Sequence, residues 1–147
     1  RSIWVTGVQT CALPILFLVL GLVQGAYMLM RRELAGVWPS PWWISAHTHA
    51  ILVGFVMMMI LGVALWMFPR PAKEDRHYNP RLAEVAYWLV ALGTAGRVAG
   101  ELARPLSDAL LLRWLIVAGG IGQVGGLVLF FWTMWTRIRG RPELENE

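Results

Sequence analysis

The residues able to do chemistry in this chain are few, and the histidines come first. His47 and His49 stand two apart around Thr48. On a helix that spacing turns two side chains ~200° from each other, so the imidazoles face different neighbours. They converge only if the helix starts at about His49. An imidazole can serve as metal ligand, general base or proton shuttle. His77 follows after roughly 30 Å of helix at ~1.5 Å per residue and cannot share a metal with His47 within one chain. Beside Asp75 and Tyr78 it reads as a solvated loop residue. Arg97 and Glu101 stand four apart and share a helix face. They suit an internal ion pair, or an arginine fork presented to a ligand carboxylate and held by the glutamate. Met28 and Met30 add soft thioether ligands, and Gln24 and Gln123 add amides able to bond between helices. No Ser/His/Asp arrangement, phosphate loop or HExxH motif is present to support a hydrolase or a nucleotide enzyme.

The elements that must position these residues are apolar. Of 147 residues, 57% are hydrophobic and 15% charged, with a mean hydropathy of +0.55. A soluble domain is about a quarter charged. Residues 34–69 carry no Asp, Glu, Lys or Arg, and neither do residues 114–136. Uncharged apolar runs of ~18 or more residues read as membrane-spanning helices. That composition excludes a disordered chain, a disulfide scaffold and a nucleic-acid module. The pI near 10.0 is explained by loop arginines facing anionic lipid. The single cysteine, Cys11, cannot form an internal disulfide.

The fold class expected is all-α, an integral membrane four-helix bundle. Spans are predicted at about 13–30, 43–68, 82–102 and 112–136, each suited to a ~30 Å hydrocarbon core. Pro39, Pro41, Pro69, Pro71, Pro80 and Pro105 punctuate them. Residues 16–136 form one transmembrane domain on this reading, and 137–147 a polar cytoplasmic tail that looks like a natural terminus. Arg70, Lys73, Arg76, Arg81, Arg137, Arg139 and Arg141 fall on one side of the membrane, and Arg31, Arg32, Arg104 and Arg113 on the other. The positive-inside bias then predicts a multi-pass protein of a bacterial-type inner membrane with both termini cytoplasmic. Trp38, Trp42 and Trp43 form an outer aromatic belt, and Trp132 and Trp135 an inner one. Gly122 and Gly126 make a GxxxG that permits close helix contact, with another span or across a dimer.

The start of the chain reads differently. Val5 to Ile15, VTGVQTCALPI, matches a sequencing adapter translated codon by codon. Residues 1–15 are therefore expected to be non-native and are set aside, as processing remnants are. Cys11 then drops out of the chemistry, and the first helix lacks its natural beginning.

The second span carries a family resemblance. The segment from Ser45 to Arg70, SAHTHAILVGFVMMMILGVALWMFPR, resembles the second helix of subunit I of the haem-copper oxidases, including the cbb-type cytochrome oxidases and the nitric oxide reductases. In that family an outer-side His opens the helix and is an axial ligand of the low-spin haem. The matching position is His47. The likeness is good over this span and extends weakly over all four, like the first part of subunit I. It implies a haem-binding membrane protein working in electron transfer or gas sensing. It implies that Arg97 neutralises a haem propionate while Glu101 holds the guanidinium or a histidine nitrogen. The family's oxygen-reducing centre needs a second low-spin haem His, a high-spin haem His and three copper histidines. Three histidines in all cannot supply them, so oxygen reduction by this chain alone is not implied.

One histidine leaves three ways to complete a haem. A two-fold homodimer gives one His47 from each chain. A methionine, Met28 or Met30, gives the sixth ligand, while Met57, Met58 and Met59 lie deeper and suit packing. A five-coordinate iron leaves a position for a gas. Two other functions compete. Copper suits His47 and His49 together with Met28 and Met30. A cofactor-free accessory or assembly subunit would use His47 only as a polar contact with respiratory-complex partners.

Overall fold

The computed structural model describes residues 7–67 and 80–138. The loop bearing Arg70, Lys73, Arg76 and His77, and the tail bearing Arg139 and Arg141, lie outside the described residues. Four helices account for almost all of the remainder. Helix α1 is Gly7–Ala35, and so takes in residues 7–15 of the segment set aside above. Helix α2 is Pro41–Met67, α3 is Pro80–Ala103 and α4 is Leu110–Ile138. Each begins before and, except for α2, ends after the apolar run that predicted it. Backbone hydrogen bonding continues through flanking residues such as Arg31, Arg32 and Glu33 that an apolar count excludes.

Local chemistry sets the ends. Gly36 has φ 64°, a conformation cheap only for glycine, and Val37 N–H returns to Arg31 O at 3.2 Å, closing α1. Ser40 caps α2, its Oγ accepting Trp43 N–H at 3.3 Å, and Pro41 takes the first helical position, where no N–H is needed. Between α3 and α4, Asp108 pairs with Arg104 and Arg113. The Arg104 hydrogen bond, then that of Arg113, holds its carboxyl below the usual aspartate range.

Helix α2 is not uniform. It runs α-helical over Pro41–Thr48, π-helical over His49–Met57 and α-helical again over Met58–Met67. A nine-residue π segment is long for a conformation that mostly occurs as single turns, often at functional sites. At its entrance two side chains bond back to carbonyls one turn earlier. Thr48 Oγ1–H donates to Ile44 O at 2.9 Å, and His49 Nδ1–H donates to Ser45 O at 2.8 Å.

The helices pack α1 on α2, α2 on α3, and α3 on α4, the last pair touching along most of its length. One core draws on all four: Phe17 from α1, Met58 and Leu61 from α2, Tyr87 and Val90 from α3, Phe130 and Met134 from α4. Facing glycines let α3 and α4 close up. A Cβ on Gly93 would lie 2.7 Å from Gly119 O, and one on Gly126 would lie 2.9 Å from Ala86 O. The GxxxG of α4 is thus used within the chain, against α3.

Helices α1, α2 and α4 are long and apolar enough to cross a membrane, and only 22% of each apolar window is buried inside the protein. Leu22, Leu52, Ile60, Ile121 and Val128 are among the large apolar side chains left outside. An apolar exterior of this extent suits lipid rather than water. The expectation of four apolar spans is corrected for α3. At 24 residues it is long enough, at ~1.5 Å per residue, to cross, but Arg81, Glu84, Arg97 and Glu101 take it out of the apolar class. It turns Ala86, Val90, Thr94, Val98 and Glu101 into the protein interior.

Candidate functional site

The two histidines of α2 face different helices, as their spacing requires. His47 turns to α1. Its Nδ1–H donates to Gly21 O at 2.9 Å, since a carbonyl can only accept. The ring lies over Gly25, where a Cβ would stand 2.8 Å from Cε1 and 3.3 Å from Nδ1. Gly21 and Gly25, one turn apart, thus divide the work: Gly21 supplies the carbonyl and Gly25 leaves the space that the imidazole fills. Nε2 carries the lone pair of the neutral ring and meets no hydrogen-bond partner among the described residues. A histidine anchored through one nitrogen and open at the other is the usual arrangement of a metal-ligating imidazole.

His49 turns to α3 and joins a second constellation. Ser45 Oγ–H donates to Glu101 Oε1 at 2.8 Å. Arg97 Nε–H donates to the same oxygen at 3.0 Å. Arg97 also reaches Gln123 Oε1 on α4 at 3.4 Å, and Gln123 Nε2–H donates to Thr94 Oγ1 at 3.1 Å. His49 Nδ1 stands 3.7 Å from Glu101 Oε2. One polar network thus ties α2, α3 and α4 together. Glu101 is its centre and is 1% exposed, which a carboxylate tolerates only when paired and hydrogen-bonded. Its Oε2 is buried and has no hydrogen-bond partner among the described residues. The Arg97–Glu101 pair expected from i,i+4 spacing is present. The guanidinium has further N–H groups with no acceptor among the described residues.

The methionines part company. Met28 lines a small cavity at the α1–α2 loop together with Trp38 and Trp43, and His47 is not part of its wall. Met30 is 58% exposed on the outside of α1. Met58 is fully buried in the core. Gln24 Nε2–H donates to Trp43 O at 2.9 Å, so both intramembrane amides bond between helices.

Two parts of this site were missed in the sequence. Gly21 and Gly25 form a small-xxx-small pair on the first span, a readable signal. Ser45 stands one turn before His49, but its link to Glu101, 56 residues away, has no local signature.

A haem takes four ligands from its own porphyrin and needs one or two from protein, and the anchored His47 fits that need. The free N–H groups of Arg97 fit an anionic substituent such as a propionate. A bare copper ion needs more from the protein. Among the described residues, no three His, Cys, Asp or Glu side chains come close enough to hold a metal. Compared with protein-family models, curated proteins and solved structures, the chain matches none.

Proposed function

We propose that this chain is a haem-binding multi-pass membrane protein with His47 as an axial ligand, acting in electron transfer or gas sensing. The observation that carries the reading is the His47 ring, fixed by Gly21 O at 2.9 Å in the Gly25 notch and open at Nε2. One-electron or gas-binding chemistry would come from the haem iron. The protein supplies the lone pair, and the Gly21 carbonyl fixes the ring plane and raises its basicity. Arg97, oriented by Glu101, offers its remaining N–H groups to a propionate. A second His47 from a homodimer partner would complete the iron, or its sixth position would stay open to a gas; Met28, in a cavity that His47 does not line, and Met30, on the outside of α1, fit that role less well. Subunits of a respiratory complex are the alternative partners.

All four helices cross the bilayer in this reading. Helix α3 does so because the charges of its second half, Arg97 and Glu101, are paired with each other and hydrogen-bonded to Gln123 of α4 and Ser45 of α2. An even number of spans keeps both termini on one side, the cytoplasmic side of a bacterial-type inner membrane by the arginine bias.

The visible spectrum of the purified protein tests the proposal. A Soret band is expected, lost in His47→Ala and kept in His49→Ala. A colourless protein loaded with haem during expression, or a band that survives His47→Ala unchanged, overturns it.

A further inference from the structure

The cavity beside Met28 is independent of the histidines. It holds about 260 Å³, enough for a small polar headgroup but not for an acyl chain. Tyr27, Met28 and Arg31 of α1 form one wall, and Trp38 and Ser40 of the α1–α2 connection with Trp43 of the first turn of α2 form another. Pro105 and Leu106, from the turn between α3 and α4, close it. It sits where the apolar spans give way to loops, at the level of a bilayer's headgroups.

Its chemistry has one sign. The Arg31 guanidinium stands 5.9 Å from the Tyr27 ring centroid and has no carboxylate partner among the described residues. The neighbouring cations are already matched, Arg32 by Glu33 at 3.1 Å and Arg104 by Asp108. Ser40 Oγ accepts Trp43 N–H, and its own O–H has no acceptor among the described residues. The indole N–H groups of Trp38 and Trp43 also have none among the described residues. No acidic side chain lines the cavity. The Tyr27 and Trp43 rings, 5.3 Å apart, supply an amphipathic wall that suits a glycerol backbone. Exposed Leu22 and Val23, about one turn before Tyr27, continue the apolar surface along α1 toward the acyl region.

We propose that this cavity binds the phosphate of a membrane phospholipid, with Arg31 as the counter-charge and Ser40 and the tryptophans as hydrogen-bond donors. The lipid then bridges the α1–α2 connection to the α3–α4 turn and holds that end of the bundle together.

The test uses the full chain, purified in a neutral detergent and stripped of lipid, with thermal unfolding as readout. Phosphatidylglycerol in mixed micelles is expected to raise the Tm by several degrees. Diacylglycerol, which lacks the phosphate, is expected to leave it unchanged, and so is inorganic phosphate at millimolar concentration. Arg31→Gln alters an exposed side chain and is expected to fold, yet to need at least tenfold more phosphatidylglycerol for the same shift. Arg113→Gln removes a cation of the same end outside the cavity and is expected to respond as wild type. An equal shift with diacylglycerol means apolar filling alone, and an equal shift with inorganic phosphate means a free-anion site. Either result, or an unaltered response in Arg31→Gln, overturns the proposal.

Discussion

Gly25 gives the most direct handle on His47, because it positions the proposed haem ligand without removing it. A methyl group there would meet the ring at 2.8 Å, well inside contact distance. The imidazole must then tilt away from α1 and stretch its bond to Gly21 O. Alanine is otherwise favoured over glycine in a helix by ~1 kcal/mol, so the helix itself gains. Gly25→Ala is therefore expected to leave helicity and expression intact while weakening haem binding by about tenfold, the low end for loss of an orienting contact. A haem titration followed at the Soret band checks it. Wild-type affinity in this variant would mean that the iron does not sit on His47 as oriented here. Gly21 offers no such handle. Its Cβ would press on the far end of the Ile51 side chain, which can swing aside.

At the scale of helices, α3 and α4 separate what glycine does from where it stands. Gly93 and Gly119 face each other with carbonyls 2.6–2.7 Å from the Cβ positions. Backbone cannot swing aside, so Gly119→Ala must push the helices apart, at a cost of ~1–3 kcal/mol for an overpacked contact. Gly125 has nothing within 4 Å, and Gly125→Ala is expected to be neutral or stabilising by up to ~1 kcal/mol. Unfolding in detergent should order the two variants on either side of wild type. The GxxxG itself was legible in sequence, but its partner was not, because the motif says only that something approaches closely. The starts of α2 and α3 were legible to within two residues, at Pro41 and Pro80 rather than 43 and 82, for a firmer reason: proline fixes φ and has no N–H to give. The π segment left no trace in the sequence. Residues 50–57 are apolar throughout, and periodicity cannot tell an i−5 hydrogen bond from an i−4 one when no polar residue marks the face. The same blindness explains the site. Local spacing found the Arg97–Glu101 pair and separated His47 from His49. Only the packing of α2 on α3 joined Ser45 and His49 to Glu101.

For the whole molecule the question is how α3 would cross the bilayer, as proposed, with charges inside it. Insertion of one charged residue at a helix centre costs ~2.5–3.5 kcal/mol on translocon scales. Arg97 lies seventeen positions past Pro80, or ~25 Å along the helix at ~1.5 Å per residue, toward the end that carries His47. Its charge is offset by Glu101 at 3.0 Å and by Gln123 of α4, and Glu101 is offset further by Ser45 of α2. The span is stable only in company. Glu101→Ala leaves the guanidinium without its carboxylate, and breaking one side of a buried pair costs ~3–5 kcal/mol. Arg97→Met combined with Glu101→Leu removes both charges and makes α3 apolar enough to insert by itself. The side on which the α3–α4 turn emerges reports the difference. With Ser107→Cys as the only thiol, in a Cys11→Ser background, a membrane-impermeant maleimide added to intact spheroplasts should label the otherwise unaltered chain. Labelling should fall in Glu101→Ala and return in the double variant. Equal labelling in all three would mean that α3 crosses without help from the network, and that His49, Ser45 and Glu101 are held together for the chemistry of the site rather than for the topology of the chain.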